Sequence, residues 1–217
     1  MQRSELFFDL DGTITHSAEG ILNSVTYALE RMGLEVPPRE QLTCFIGPPL
    51  IRSFTQLFGL SNEEGERAVA LYREYYLEKG IFECYVFNGM AETLAELRRR
   101  GYRLTLATCK PTVMAERILE HFGLRSLFAL VSGPELDGTR NEKHEVVAHA
   151  LKVLNISPDH VLMVGDRRDD VVGAGRCGIP CVGVTWGFGS EEELREAGAL
   201  SLIHSPEELL SCVESQK

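Results

Sequence analysis

The chain has 217 residues, 44% hydrophobic and 25% charged. It is long enough for one large domain, or for a core carrying a smaller one, and too apolar for a disordered chain. A net charge of -10 without a basic patch excludes an ordinary nucleic-acid binder, and no apolar run reaches the length of a membrane span.

The segment before Asp9 is too short and too acidic for a signal peptide, so a cytoplasmic protein is expected. Glu5–Leu10 is an apolar run ending in acidic residues and a glycine, which reads as a buried strand stopping at a loop. The next stretch is helical. Ile21, Leu22, Val25, Ala28, Leu29 and Met32 share one helix face, stopped by Gly33. A second helix is expected over Leu50–Phe58, stopped by Gly59, and a third from about Ser61 to Lys79, stopped by Gly80. This block is too long for a loop. It reads as a helical domain, residues 17–83, inserted into a core made of residues 1–16 and 84–217.

Strands and helices then alternate. Strands are expected at Arg103–Thr108, Leu127–Ser132, His160–Gly165 and Cys181–Val184, with helices at Ala91–Arg100, Thr112–Phe122, Glu142–Leu154 and Val171–Cys177. The Arg98–Arg100 cluster sits at a helix C-terminus, where cations offset the helix dipole. The alternation predicts an α/β fold, a parallel sheet flanked by helices, with the active site beyond the carboxyl ends of the strands. Cys44, Cys84, Cys109, Cys177, Cys181 and Cys212 contain no CxxC pair and are expected to be mostly small buried residues.

The chemistry concentrates at strand ends. Asp9-Leu10-Asp11-Gly12-Thr13 sets two carboxylates just past a buried strand, where their repulsion calls for a cation or a shared proton. One carboxylate can attack phosphorus, and its neighbour can protonate a leaving oxygen and later activate water. Asp166 follows a second apolar strand, with Asp169 and Asp170 after it. Such hard oxygen ligands suit Mg2+; Asp170 is expected behind the ligands, and Asp169 in solvent or capping the next helix. Thr108 ends a third strand, where its hydroxyl either donates to a phosphoryl oxygen or caps the helix that Pro111 opens. Lys143, near a helix start, is explained by a bound phosphate or is a solvated surface lysine.

In order and spacing these segments resemble the four motifs of the haloacid dehalogenase superfamily: Asp9–Thr13 the first, Thr108 the second, Lys143 the third, Gly165-Asp166 with Asp170 the fourth. The resemblance covers essentially the whole chain and makes residues 17–83 similar to that superfamily's helical cap. It implies a Rossmann-like core and Mg2+ held by Asp9, the Asp11 carbonyl and Asp166. It further implies Asp9 as nucleophile, Asp11 as acid and base, and Thr108, the Cys109 amide and Lys143 holding the phosphoryl group. The cap would be a lid hinged near 15–17 and 83–88.

Phosphoglycolate phosphatases and 5'-nucleotidase-like relatives are the more similar branches. Phe45-Ile46-Gly47-Pro48-Pro49-Leu50, Asn141-Glu142-Lys143 and Gly165–Asp170 look more like the latter. His16 and Cys109 depart from the pattern, in which an acidic residue and Asn or Ser are usual. The expected partner is a small phosphate ester, chosen by cap side chains near His16, Arg52, Tyr75 and Tyr76; oligomeric state stays open. The motifs also admit a phosphosugar mutase, or an inactive binding protein on the same scaffold. Asp11 argues against a true dehalogenase.

Overall fold

A computed structural model describes residues 3–47 and 50–215, so Pro48 and Pro49 of the Phe45–Leu50 segment lie outside the described residues. The chain divides into two compact units, one running to Thr15 and resuming at Val86, the other His16–Tyr85. After β1 (Glu5–Phe8), the chain passes out of the first unit along β2 (Thr15–His16) and later returns along β3 (Tyr85–Val86). Those two short strands form a sheet of their own.

The His16–Tyr85 unit holds α1 (Ala18–Met32), α2 (Leu50–Phe58) and α3 (Asn62–Glu78), with 3-10 turns at Arg39–Phe45 and Gly80–Phe82. On α1 the residues Ile21, Leu22, Val25, Ala28 and Leu29 are buried, as the 3.6-residue periodicity requires. The rings of Phe45, Phe54 and Phe58 cluster beside them, Phe45 meeting Phe54 edge-on at 4.7 Å. Ser61 caps α3 in a reciprocal box with Glu64.

Gly33 ends α1 in the left-handed conformation expected of a helix stop. Gly80 does not end α3: the helix stops at Glu78, and Gly80 opens the following 3-10 turn. Close approach explains the glycine instead. A Cβ on Gly80 would meet Ser24 Oγ at 2.6 Å, and one on Gly20 would meet the Gly80 carbonyl at 1.8 Å.

The other unit is a six-stranded sheet in the order β5-β4-β1-β6-β7-β8, every pairing parallel. Its further strands are β4 (Arg103–Ala107), β5 (Phe128–Ser132), β6 (Val161–Gly165), β7 (Cys181–Val184) and β8 (Ser201–Ile203). Its helices are α4 (Met90–Arg99), α5 (Thr112–His121), α6 (Lys143–Leu154), α7 (Arg168–Arg176), α8 (Glu191–Ala197) and α9 (Glu208–Glu214). Every residue of β1, β6 and β7 is buried, as in a sheet covered on both faces. On one face Phe7, Met163 and Cys181 pack with Val146, Val147 and Ala150 of α6, Val171 and Ala174 of α7, and Leu194 of α8.

The expected strands are present, with ends moved by a residue or two. β1 stops at Phe8 rather than Leu10, because the Leu10 carbonyl gathers the amides of Thr13, Ile14 and Thr15 into a tight turn. Helix α7 begins at Arg168, three residues before its expected start, so Asp169 lies exposed in its first turn instead of capping it. Among the six cysteines only Cys181 is buried and Cys44 is exposed, against the expectation that most are buried. β8, α8 and α9 were not expected at all.

Replacing Gly20 by Ala should lower stability by about 1–3 kcal/mol or more, because a backbone carbonyl cannot yield as a side chain can. Gly175→Ala on α7, where a Cβ meets nothing within 4 Å, should raise it by about 0.5–1 kcal/mol through helix propensity. Urea unfolding of both variants beside the parent protein measures the two shifts.

Candidate active site

Register brings the candidate residues together. Phe8 pairs with Leu106 on one side and Val164 on the other. The residues that follow, Asp9, Ala107 with Thr108, and Gly165 with Asp166, therefore lie at one carboxyl edge of the sheet. β1 lies where the strand order reverses, with β4 and β5 to one side and β6 to β8 to the other. Open parallel sheets bind their ligands in the crevice at such a point.

At the centre stand Asp9, Asp166 and Asp170, all buried, each offering a carboxylate oxygen within 4.8 Å of the others. Lys143 runs into this cluster. Its Nζ lies 2.7 Å from Asp9 Oδ1 and 2.7 Å from Asp170 Oδ1, and donates to the Ala107 carbonyl at 2.9 Å. It is buried, not a solvated surface lysine. Burial alone would weaken its proton affinity, but Asp170 and Asp9 raise its pKa well above the ordinary lysine value. These contacts also offset the unfavourable position of a cation at the start of α6.

The carboxylates carry the opposite strain. Burial, then Asp170, then Asp9 push the Asp166 pKa well above the usual carboxylate range, against the pull of the Phe188 amide. Burial lifts Asp170 to about 6, opposed by Lys143. With all three carboxylates ionised, one ammonium would leave two negative charges uncompensated. That charge, an all-oxygen donor set and deep burial fit a divalent hard cation.

Backbone shape holds the cluster. Gly12 takes a left-handed φ of 89°, and a Cβ on it would fall 2.1 Å from Asp166 Oδ2. Gly187 would place a Cβ 2.4 Å from the same oxygen. Thr13 Oγ1 donates to Asp166 Oδ1 at 3.3 Å and the Phe188 amide to Oδ2 at 2.8 Å. Asp170 accepts from the Arg167 amide at 3.0 Å while holding Lys143. It lies in the cluster with Asp9 and Asp166.

Asp11 does not join the three clustered carboxylates. Its Oδ2 pairs with Lys110 Nζ at 2.9 Å. Thr108 is buried, and its hydroxyl accepts from the Lys110 amide at 3.1 Å, so it closes the loop ahead of α5 and does not cap that helix. Cys109 is partly buried. Burial, with Asp9 and Asp170 nearby and Lys143 opposing, pushes its thiol up to about 12, so it carries no thiolate near neutral pH.

Lys110 and the loop Thr185–Ser190 were not singled out from the sequence. Trp186 Nε1 donates to the Thr13 carbonyl at 3.0 Å, which ties that loop to the turn after β1. The alternating glycines of Trp-Gly-Phe-Gly, directly after an apolar strand, were the available signal.

A model of haloacid dehalogenase-like hydrolases matches residues 6–184. The chain belongs to the haloacid dehalogenase-like hydrolase family. Within it, the chain is 45% identical over 190 residues to a 5'-nucleotidase of Pseudomonas aeruginosa, covering 88% of this chain and 86% of the relative. It is 40% identical over 200 residues to the tyrosine-protein kinase PtkA of Mycobacterium tuberculosis, covering 92% and 68%. A predicted phosphatase from Clostridium acetobutylicum superposes with a TM-score of 0.95 at 41% identity, covering 99% of this hydrolase and all of that chain. Among the described residues of this hydrolase no helix is long and apolar enough to cross a membrane.

Gly12→Ala should be strongly destabilising, since its Cβ meets Asp166 and its backbone is left-handed. In an Asp166→Ala background the clash with the carboxylate is removed, and the cost should shrink towards the roughly 1–2 kcal/mol of the left-handed backbone. A double-mutant cycle on urea midpoints checks this. Equal costs in both backgrounds would refute the cradle around Asp166.

Proposed function

We propose that this hydrolase is a phosphatase that cleaves a small-molecule phosphomonoester through a phospho-aspartate on Asp9. The observation that carries this is the Asp9–Lys143 contact of 2.7 Å inside a buried carboxylate cluster at the sheet's switch point. A carboxylate fixed by a buried ammonium in a crevice at the sheet edge suits attack on phosphorus.

Asp9 attacks phosphorus, the bond from phosphorus to the ester oxygen breaks, and Asp11 delivers a proton to the departing alcohol. Water then attacks the phosphorus of phospho-Asp9, and Asp11 takes its proton. Phosphate leaves and the Asp9 carboxylate is restored. Lys143, the Thr108 hydroxyl and the Cys109 amide hold the phosphoryl oxygens throughout. Asp9, Asp166 and the Asp11 carbonyl would hold Mg2+, with Asp170 supporting Lys143. When bound, the ion would neutralise carboxylate and phosphoryl charge.

Residues 17–83 act as the cap that selects the ester, and residues 1–16 with 84–217 carry the chemistry. Identity to the Pseudomonas 5'-nucleotidase supports a nucleoside monophosphate as substrate ahead of phosphoglycolate. The likeness to a tyrosine-protein kinase supports a second reading, phosphoryl transfer to a protein tyrosine. ATP and a tyrosine peptide, assayed beside phosphate esters, separate the two.

Asp9→Asn should lose at least about three orders of magnitude in kcat, because an amide cannot form the acyl phosphate. Acid-quenched phosphoenzyme should be present in the parent protein and missing from the variant. More than a tenth of parent kcat in Asp9→Asn would defeat the assignment. EDTA should abolish activity and Mg2+ restore it. Asp166→Ala should raise the Mg2+ concentration needed for half-activity by more than the roughly 10–100-fold typical of losing a partner behind a ligand, and full activity after exhaustive chelation would count against the metal site.

A further inference from the structure

Lys110 has no part in the mechanism so far, yet it is buried beside Asp11. Its ammonium lies 2.9 Å from Asp11 Oδ2, the two side chains being 7% and 14% exposed. Its amide donates to the Thr108 hydroxyl. Its carbonyl lies against Gly133, where a Cβ would come within 2.4 Å of that oxygen. One short backbone segment thus holds both the Thr108 hydroxyl and the ammonium that meets Asp11.

The two oxygens of Asp11 are unequal. Oδ2 is paired with Lys110, whereas Oδ1 is buried and has no hydrogen-bond partner. A buried carboxylate oxygen left without a partner costs free energy and is uncommon in folded proteins. Such an atom is suited to a proton that comes and goes with the reaction.

We propose that Lys110 is a positioning residue, fixing the Asp11 carboxylate through Oδ2 so that Oδ1 is the atom that exchanges the proton. This deepens the phosphatase mechanism above and rests on Asp11 being its acid and base. In the first half-reaction Oδ1–H protonates the ester oxygen as its bond to phosphorus breaks. In the second, Oδ1 takes a proton from water as the new oxygen–phosphorus bond forms, and the starting state returns.

The benefit is orientation. The terminal torsion of an aspartate is soft and roughly two-fold. Without an anchor neither oxygen would stay aimed at the reacting group, and acid–base catalysis depends on that aim.

Leaving-group dependence separates positioning from a merely structural role. An alkyl alcohol is a poor leaving group and needs its proton, whereas p-nitrophenolate departs without one. kcat/KM reports only the steps up to phosphorylation of Asp9, so the shared second half-reaction drops out. Lys110→Met should lower kcat/KM for an alkyl phosphate by about 10–100-fold, a share of what general acid catalysis supplies. The loss for p-nitrophenyl phosphate should stay within about threefold. Lys110→Arg should recover most of the alkyl-ester loss, and Lys110→Met added to Asp11→Asn should cost nothing further.

Equal losses on both esters, or additive losses in the Asp11→Asn background, would overturn the role. Thermal unfolding checks each variant, and if Lys110→Met does not fold, Lys110→Gln carries the same comparison. Asp9→Asn assayed on both esters tests the underlying mechanism separately. Activity surviving there overturns the mechanism, whereas an inactive Asp9→Asn with no leaving-group effect at Lys110 overturns only the positioning role.

Discussion

Crowding of like charge in a buried place is the constraint on which the site depends. Asp9, Asp166 and Asp170 come from the ends of two strands and the first turn of a helix, and a parallel sheet delivers them to one edge whether or not they repel. Lys143 answers part of that repulsion by touching two of the three. Burial first, and the remaining repulsion after it, raise the pKa values of Asp166 and Asp170. A folded chain keeps such an arrangement only if the rest of the structure over-determines it.

The glycines supply much of that determination. Gly12 and Gly187 close on Asp166 from two loops, Gly165 leaves room for Asp170, and Gly173 lets the Lys143 stem pass, since a Cβ there would come within 2.6 Å of it. Each charged group is thus seated against backbone and has little freedom to swing away from its neighbours. The Trp186 indole, tied to the Thr13 carbonyl, fastens the loop after β7 to the turn after β1.

Much of this was legible in the sequence, for physical reasons. The strands of the central sheet are buried on both faces, so they stand out as unbroken apolar runs, and the polar residue ending each run marks the sheet edge. Asp9, Thr108 and Asp166 were visible in that way. Lys143 was ambiguous, because a lysine at a helix start looks the same in a sequence whether it points at solvent or at two carboxylates. Gly80 resembled a helix stop, but its lack of a side chain serves close packing against α1. Asp170 was expected behind the ligands because it lies four residues beyond Asp166. Lys110 was hidden because its partner, Asp11, lies 99 residues away in the chain. β8 and α9 are short, half-exposed segments whose periodicity is too weak to read.

The position of β1 has a consequence for how the protein is made. It precedes the other five strands of its sheet in the chain, yet it lies in the interior of the sheet, between β4 and β6. A growing chain can pair it with β4 once Arg103–Ala107 has been translated. Its other edge stays open until residues Val161–Gly165 emerge. For that interval an apolar strand, Glu-Leu-Phe-Phe, presents unpaired backbone to the cell, the kind of edge that invites association with other chains. The order of synthesis therefore makes late closure by β6 the vulnerable moment of biogenesis, and it is the same event that brings Asp166 beside Asp9.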